Sequence, residues 1–170
     1  MISANLIYIS DPSAYTNADA IPNTINYITR LNDENIFYYG NWPPTPDSAI
    51  ELFEKLRSRL SFVERFGCHQ QLQHFWITFD SNSAPDFINT FANDIALIFA
   101  PLFPICLATH DKIYNPHTHF VVSTTSIFPS QKPLIGKVWN KYLVQVCELA
   151  LTRYDIHLTV KSKTNTVIQN

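Results

Sequence analysis

The chain has 170 residues, of which 46% are hydrophobic and 14% aromatic, a composition that excludes a disordered protein and fits one domain with a full core. Its formal net charge of −2 lacks the basic excess typical of nucleic-acid-binding domains, so any such function must rest on a local patch. No apolar run approaches the roughly 18 residues of a membrane span, the N-terminus lacks signal-peptide features, and three scattered cysteines favour a reduced, cytoplasmic setting.

The first half of the chain alternates apolar, β-branched segments with amphipathic ones, which indicates strands and helices in turn. Turn residues and N-capping residues mark the boundaries between them. The predicted elements are, in chain order, a strand at 6–9, a helix at 24–30 capped by Asn23, a helix of about 18 residues capped by Asp47 or Ser48, and a strand at Leu72–Phe79.

The second half continues this alternation as far as residue 160. Its predicted elements are a helix that Pro85 opens and Pro101 ends, strands at 105–109 and 117–124, a long helix at 133–153 and a last strand at 157–160. We therefore expect an α+β fold, with an antiparallel sheet of about five strands and helices packed on one side. Residues 1–160 are predicted to form a single domain, and residues 161–170 a polar, flexible tail.

Three of the six histidines fall within ten residues, at His110, His117 and His119. In a strand, residues two apart point to the same face, so His117 and His119 are expected to do so. The intervening segment 111–116 is prone to turns. If the strands on either side of it pair as a hairpin, His110 lies opposite His117, and all three rings share one face of the sheet.

Three neutral imidazoles on one face predict a divalent metal site with open coordination positions. Imidazole alone binds Zn²⁺ or Ni²⁺ more tightly, whereas Mg²⁺ or Mn²⁺ would suit open positions that face a phosphodiester. Since metal binding requires neutral rings, occupancy should fall below about pH 6. His74, in the second predicted strand, is expected to be an ordinary hydrogen-bonded histidine and not a fourth ligand.

The segment from Thr109 to Ser126 resembles the third motif of plasmid relaxases, which are mobilisation nucleases of the His-hydrophobe-His endonuclease superfamily, although Thr118 stands at the hydrophobe position. The segment from Thr24 to Thr29 resembles the family's first motif, and the whole resemblance covers roughly residues 20 to 155. It implies a metal-dependent enzyme that cuts one strand of single-stranded DNA at a specific, origin-of-transfer-like site, with accessory mobilisation proteins as further partners.

Residue by residue, the resemblance makes Tyr27 the nucleophile that forms a 5′-phosphotyrosyl intermediate, and the three histidines the metal ligands. A tyrosine phenol is a poor nucleophile until it is deprotonated, and a metal on the phosphate makes the phosphorus more electrophilic. Tyr15, Tyr38, Tyr39 and Tyr114 are rival nucleophiles. The remaining expected site residues are Asp80 and Asp111 as partners of the ligand histidines, and Arg30, Trp42 and Lys112 as DNA contacts.

Other functions stay open at this point. A rolling-circle replication initiator would belong to the same superfamily, as would a small single-strand transposase, whose nucleophile would have to be Tyr142 or Tyr154 on the late helix. A non-catalytic DNA-binding homologue would fit the slight excess of acidic over basic residues. The segment 157–160 matches the His-hydrophobe-Thr signature of two-histidine phosphoesterases, but that fold requires two copies and the sequence has one.

Overall fold

The computed structural model describes residues 2–30, 36–39, 45–60, 70–110 and 116–164. Within these ranges no helix is both long enough and apolar enough to cross a membrane. The strands are β1 Ile2–Ile9, β2 Ile36–Tyr39, β3 Leu72–Phe79, β4 Ile105–His110, β5 His117–Ser123 and β6 Ile156–Lys163. The helices are α1 Ala20–Thr29, α2 Pro46–Arg57, α3 Pro85–Phe99 and α4 Gly136–Arg153.

All six strands form one sheet in the order β2-β4-β5-β3-β1-β6. The predicted α+β class is confirmed, with one strand more than expected, because the short β2 pairs with β4 at one edge. The pairs are antiparallel except at the other edge, where β6 runs parallel to β1. The chain reaches that edge through α4, and a helical crossover is the usual connection to a parallel neighbour.

Helices cover both faces of the sheet, so the prediction of helices on one side is wrong. Helices α3 and α4 pack with Phe75, Leu107 and Phe120 in one hydrophobic core. Helices α1 and α2 pack on the opposite face, in a second core that includes Cys106 and Val121. Both faces are covered because every residue of β4 is buried. A central strand with apolar side chains on both faces requires packing partners on both faces of the sheet.

Element boundaries differ from the predictions mainly at helix starts. The cap of α2 is Thr45, whose hydroxyl accepts a hydrogen bond from the backbone of Ser48 in a reciprocal capping box, so the helix begins two or three residues earlier than expected and spans 12 residues. Helix α1 begins at Ala20, because Pro22 is tolerated in a first helical turn. Strand β6 continues to Lys163, three residues into the predicted tail, since these residues pair with β1.

Candidate metal centre

The hairpin of β4 and β5 brings the three histidines together as predicted. His110 pairs directly with His117, and the alternation of β5 places His119 on the same face. One ring nitrogen from each histidine lies within 4.8 Å of the others, a spacing at which one ion can bind all three. His110 and His119 are buried and His117 is half-buried, so the site lies at the margin of the core and opens toward solvent on one side.

The second nitrogen of His110 is held by helix α1. Its Nε2 lies 2.8 Å from the carbonyl oxygen of Ile28. A carbonyl only accepts hydrogen bonds, so Nε2 carries the proton and Nδ1 keeps the lone pair that a metal requires. The same bond satisfies a carbonyl in the last turn of α1, where the helix supplies no donor of its own. The helix that carries Tyr27 is thereby attached to a metal ligand.

The second nitrogen of His119 is held by His74. His119 Nδ1 lies 3.0 Å from His74 Nε2, and His74 Nδ1 lies 2.9 Å from the hydroxyl oxygen of Tyr15. Burial lowers the pKa of His74 to about 4. Burial also lowers the pKa of His119 far below the usual histidine range, and the neighbouring His74 and His117 add to this effect. Both rings are therefore neutral at pH 7, the form that binds metals.

Tyr27 lies beside the three histidines, although it is about eighty residues distant in the sequence. Its ring centroid is 5.8 Å from that of His119, in an edge-to-face arrangement. The side chain is 37% exposed, so a large substrate can reach it. The guanidinium carbon of Arg30 lies 4.5 Å from the centroid of the Tyr27 ring, which places a positive charge where a phenolate or a phosphate would need one.

The rival tyrosines within the described residues are less well placed. Tyr15 is buried against His74, and its burial raises the pKa of the phenol. The hydroxyl of Tyr38 is buried in the second core, where burial likewise raises the pKa. Tyr142 and Tyr154 pack with the first core, on the face of the sheet away from the histidines. Among the tyrosines whose side chains the structure describes, Tyr27 alone combines contact with one of the three histidines and solvent exposure.

The sheet beside the histidines is open on the same face. Helix α1 contacts β4 and β5, whereas beyond His119 on this face Trp76 and Ile7 are half-buried and Lys161 is exposed. One row of cross-strand neighbours runs from His119 through Trp76 and Ile7 to Lys161. The ammonium nitrogen of Lys163 lies 5.7 Å from the centroid of the Trp76 ring. The open half-sheet, defined by β3, β1 and β6, therefore joins an aromatic ring and two lysines to the metal site.

Of the remaining predicted site residues, only Asp80 lies in the described part of the chain, and it does not contribute to this geometry. Asp80 is exposed after β3, and no hydrogen bond joins it to a ligand histidine in the described part of the chain. The roles expected of Asp80 fall to the Ile28 carbonyl and His74. Asp111, Trp42 and Lys112 lie outside the described residues, as does Tyr114.

Two functional neighbours, His74 and Trp76, were not recognised from the sequence. His74 was expected to be hydrogen-bonded, which is confirmed, but its partner was unknown because the register of β3 against β5 follows from tertiary pairing. The donor set itself fits a divalent ion: three imidazole nitrogens, no thiolate, and two rings fixed by second hydrogen bonds. No protein-family model, curated protein or solved structure matches this chain.

Proposed function

We propose that this protein is a metal-dependent enzyme that nicks and rejoins single-stranded DNA through a covalent bond to Tyr27, as relaxases do. One observation carries the proposal: an exposed tyrosine contacts a histidine whose ring nitrogen lies within 4.8 Å of those of two others. The geometry joins a potential nucleophile to a site for an ion that activates phosphates. The relaxase motifs in the sequence, marked by the same residues, support the same reaction.

The reaction follows from the arrangement of the side chains. The Tyr27 oxygen attacks the phosphorus, the phenol proton leaves to solvent, and the released 3′ oxygen takes up a proton. A divalent metal held by His110, His117 and His119 would neutralise charge on the phosphate and make the phosphorus more electrophilic. Arg30 holds its positive charge over the Tyr27 ring, where it would attract the incoming phosphate. The phosphotyrosyl bond conserves the energy of the phosphodiester, so a 3′ hydroxyl can reverse the step.

The open half-sheet supports a single-stranded nucleic acid as the substrate. Trp76 offers an aromatic face next to His119, and Lys161 and Lys163 bring positive charge to the same face. Stacking of bases on aromatic rings, with basic side chains along the backbone, is the general mode of binding unpaired strands. A duplex would present no free base faces to such a surface. Although the chain's overall charge is −2, Lys161 and Lys163 form the local basic patch on which the proposed DNA binding rests.

The test is formation of a covalent adduct with a random-sequence pool of single-stranded DNA in the presence of Mn²⁺. A pool is needed because the recognised sequence is unknown. The wild-type chain should acquire a nuclease-sensitive mass increase that survives denaturation and is lost with EDTA. Peptide mapping should locate the adduct at Tyr27. No adduct from the wild-type chain under any divalent metal would refute the proposal.

A pair of phenylalanine variants separates the nucleophile from a general effect of losing a hydroxyl. Tyr27→Phe should abolish the adduct, because the attacking oxygen is gone. Tyr8→Phe is the matched control, since the Tyr8 ring packs against Trp139 on the opposite face of the sheet. The Tyr8→Phe variant should form the adduct at the wild-type level. An adduct that persists in Tyr27→Phe would assign the nucleophile to another residue.

A further inference from the structure

We infer that His74, with Tyr15 behind it, is a positioning residue that sets the tautomer of His119 and leaves His119 Nε2 free to bind the metal. The inference rests on the metal site of the proposed function and concerns a pair of residues to which the relaxase resemblance gives no role. Three observations carry it: the distances along the chain of rings, the proton count of a neutral imidazole, and the way Tyr15 is held.

The distances define a continuous hydrogen-bonded chain that leads away from the metal site. His119 Nδ1 is 3.0 Å from His74 Nε2, and His74 Nδ1 is 2.9 Å from the Tyr15 hydroxyl oxygen. All three side chains are buried, at 6%, 7% and 9% exposure respectively, so water does not compete for these bonds. Because Nδ1 of His119 is engaged, Nε2 is the nitrogen left for the ion.

When a metal is bound, the number of protons on each ring determines which partner donates in each hydrogen bond of the His119–His74–Tyr15 series. A neutral imidazole carries one N–H, and the nitrogen that binds a metal must be the other one. His119 must therefore donate from Nδ1 to His74 Nε2, and His74 must donate from Nδ1 to the Tyr15 oxygen. The opposite direction would place a proton on His119 Nε2 and block the ion. His74 is thus the acceptor that metal binding requires.

His110 shows the same arrangement with a simpler partner. Its Nε2–H donates to the Ile28 carbonyl, which is permanently an acceptor and allows one tautomer only. His74 can accept or donate at Nε2, and the Tyr15 hydroxyl can do either as well. The tautomer of His119 is therefore coupled to the proton positions on His74 and Tyr15. Second partners of this kind fix ring orientation in metal sites, and their loss typically lowers metal affinity about 10- to 100-fold.

Tyr15 is held in place at a conformational cost. Its backbone φ is 60°, in the left-handed region, which is rare and strained for a bulky side chain. The backbone N–H of Gln71 donates to the Tyr15 carbonyl at 3.0 Å. The Gln71 side-chain amide donates to the carbonyls of Thr16 and Asn17. These bonds fix the loop so that the hydroxyl reaches His74.

The test compares two substitutions of His74 by zinc-binding calorimetry without DNA. His74→Leu fills the space but accepts no hydrogen bond, and should lower Zn²⁺ affinity about 10- to 100-fold. His74→Gln is the conservative control, because its amide oxygen can accept from His119 Nδ1, and it should keep most of the affinity. Circular dichroism and thermal melts verify that each variant is folded. A folded His74→Leu with wild-type affinity would overturn the inference.

A second measurement needs no variant of His74. Long-range ¹H–¹⁵N spectra of the zinc-loaded wild-type chain, assigned with a His119 variant, report which ring nitrogen carries the proton. We expect Nδ1–H and metal-bound Nε2 for His119; the reverse assignment would overturn the inference even if His74→Leu does not fold. Weakened zinc binding in His74→Leu without any DNA adduct from wild type would leave this inference standing and refute the nuclease. A wild-type chain that binds no zinc would overturn both.

Discussion

Acid should destabilise the metal-free protein through His74. The folded-state pKa of this buried ring is about 4, whereas an unfolded chain has the ordinary histidine value of about 6.5. Between these values the unfolded state binds a proton that the native state excludes, so the free energy of unfolding falls as the pH falls. Each tenfold change in proton affinity corresponds to about 1.4 kcal/mol, so the full interval amounts to about 3 kcal/mol, a large part of a typical domain's stability.

The assay is urea unfolding in EDTA at several pH values from 7 to 4, for wild type and His74→Gln. The glutamine keeps a hydrogen-bonding side chain but does not titrate. Wild type should lose about 3 kcal/mol relative to the variant across this range. His157→Gln, which removes an exposed histidine from β6, is the control and should run parallel to wild type. A constant difference between wild type and His74→Gln would refute the reasoning that burial keeps His74 neutral.

Three further predictions address the metal, the core and the open half-sheet. Zinc at 100 times its dissociation constant should raise the free energy of unfolding by about 2.7 kcal/mol in calorimetric melts, and His119→Ala should remove the gain. Phe120→Ala should cost about 3–5 kcal/mol in urea unfolding, because this fully buried ring stacks on Phe75 at 4.6 Å; a loss below 1 kcal/mol would contradict that packing. Trp76→Ala should weaken single-stranded DNA binding by about 1–3 kcal/mol in fluorescence anisotropy and leave zinc affinity intact, whereas unchanged DNA affinity would exclude Trp76 as a stacking surface.

Local pattern was sufficient to predict most elements of the fold. Runs of β-branched and aromatic residues identified β3 and β5, and Pro85 marked the start of α3 as the structure has it. The four residues of β2 were missed, because so short an edge strand carries little periodic signal. The parallel pairing of β6 with β1 was missed for a different reason: the direction of an edge strand depends on how α4 crosses the sheet, which no local pattern records.

The sequence alone determined the hairpin of histidines. Their spacing, together with the turn-prone segment between the strands, predicted a register in which three imidazoles share a face, and the structure has that register. Tertiary structure decided everything that surrounds them. Tyr27 comes from α1, whereas His74 and Trp76 come from β3, and their contacts with His119 depend on helix packing and strand order, which are set by burial on both faces of the sheet. Local spacing fixes which residues share a face, whereas long-range packing fixes which faces meet.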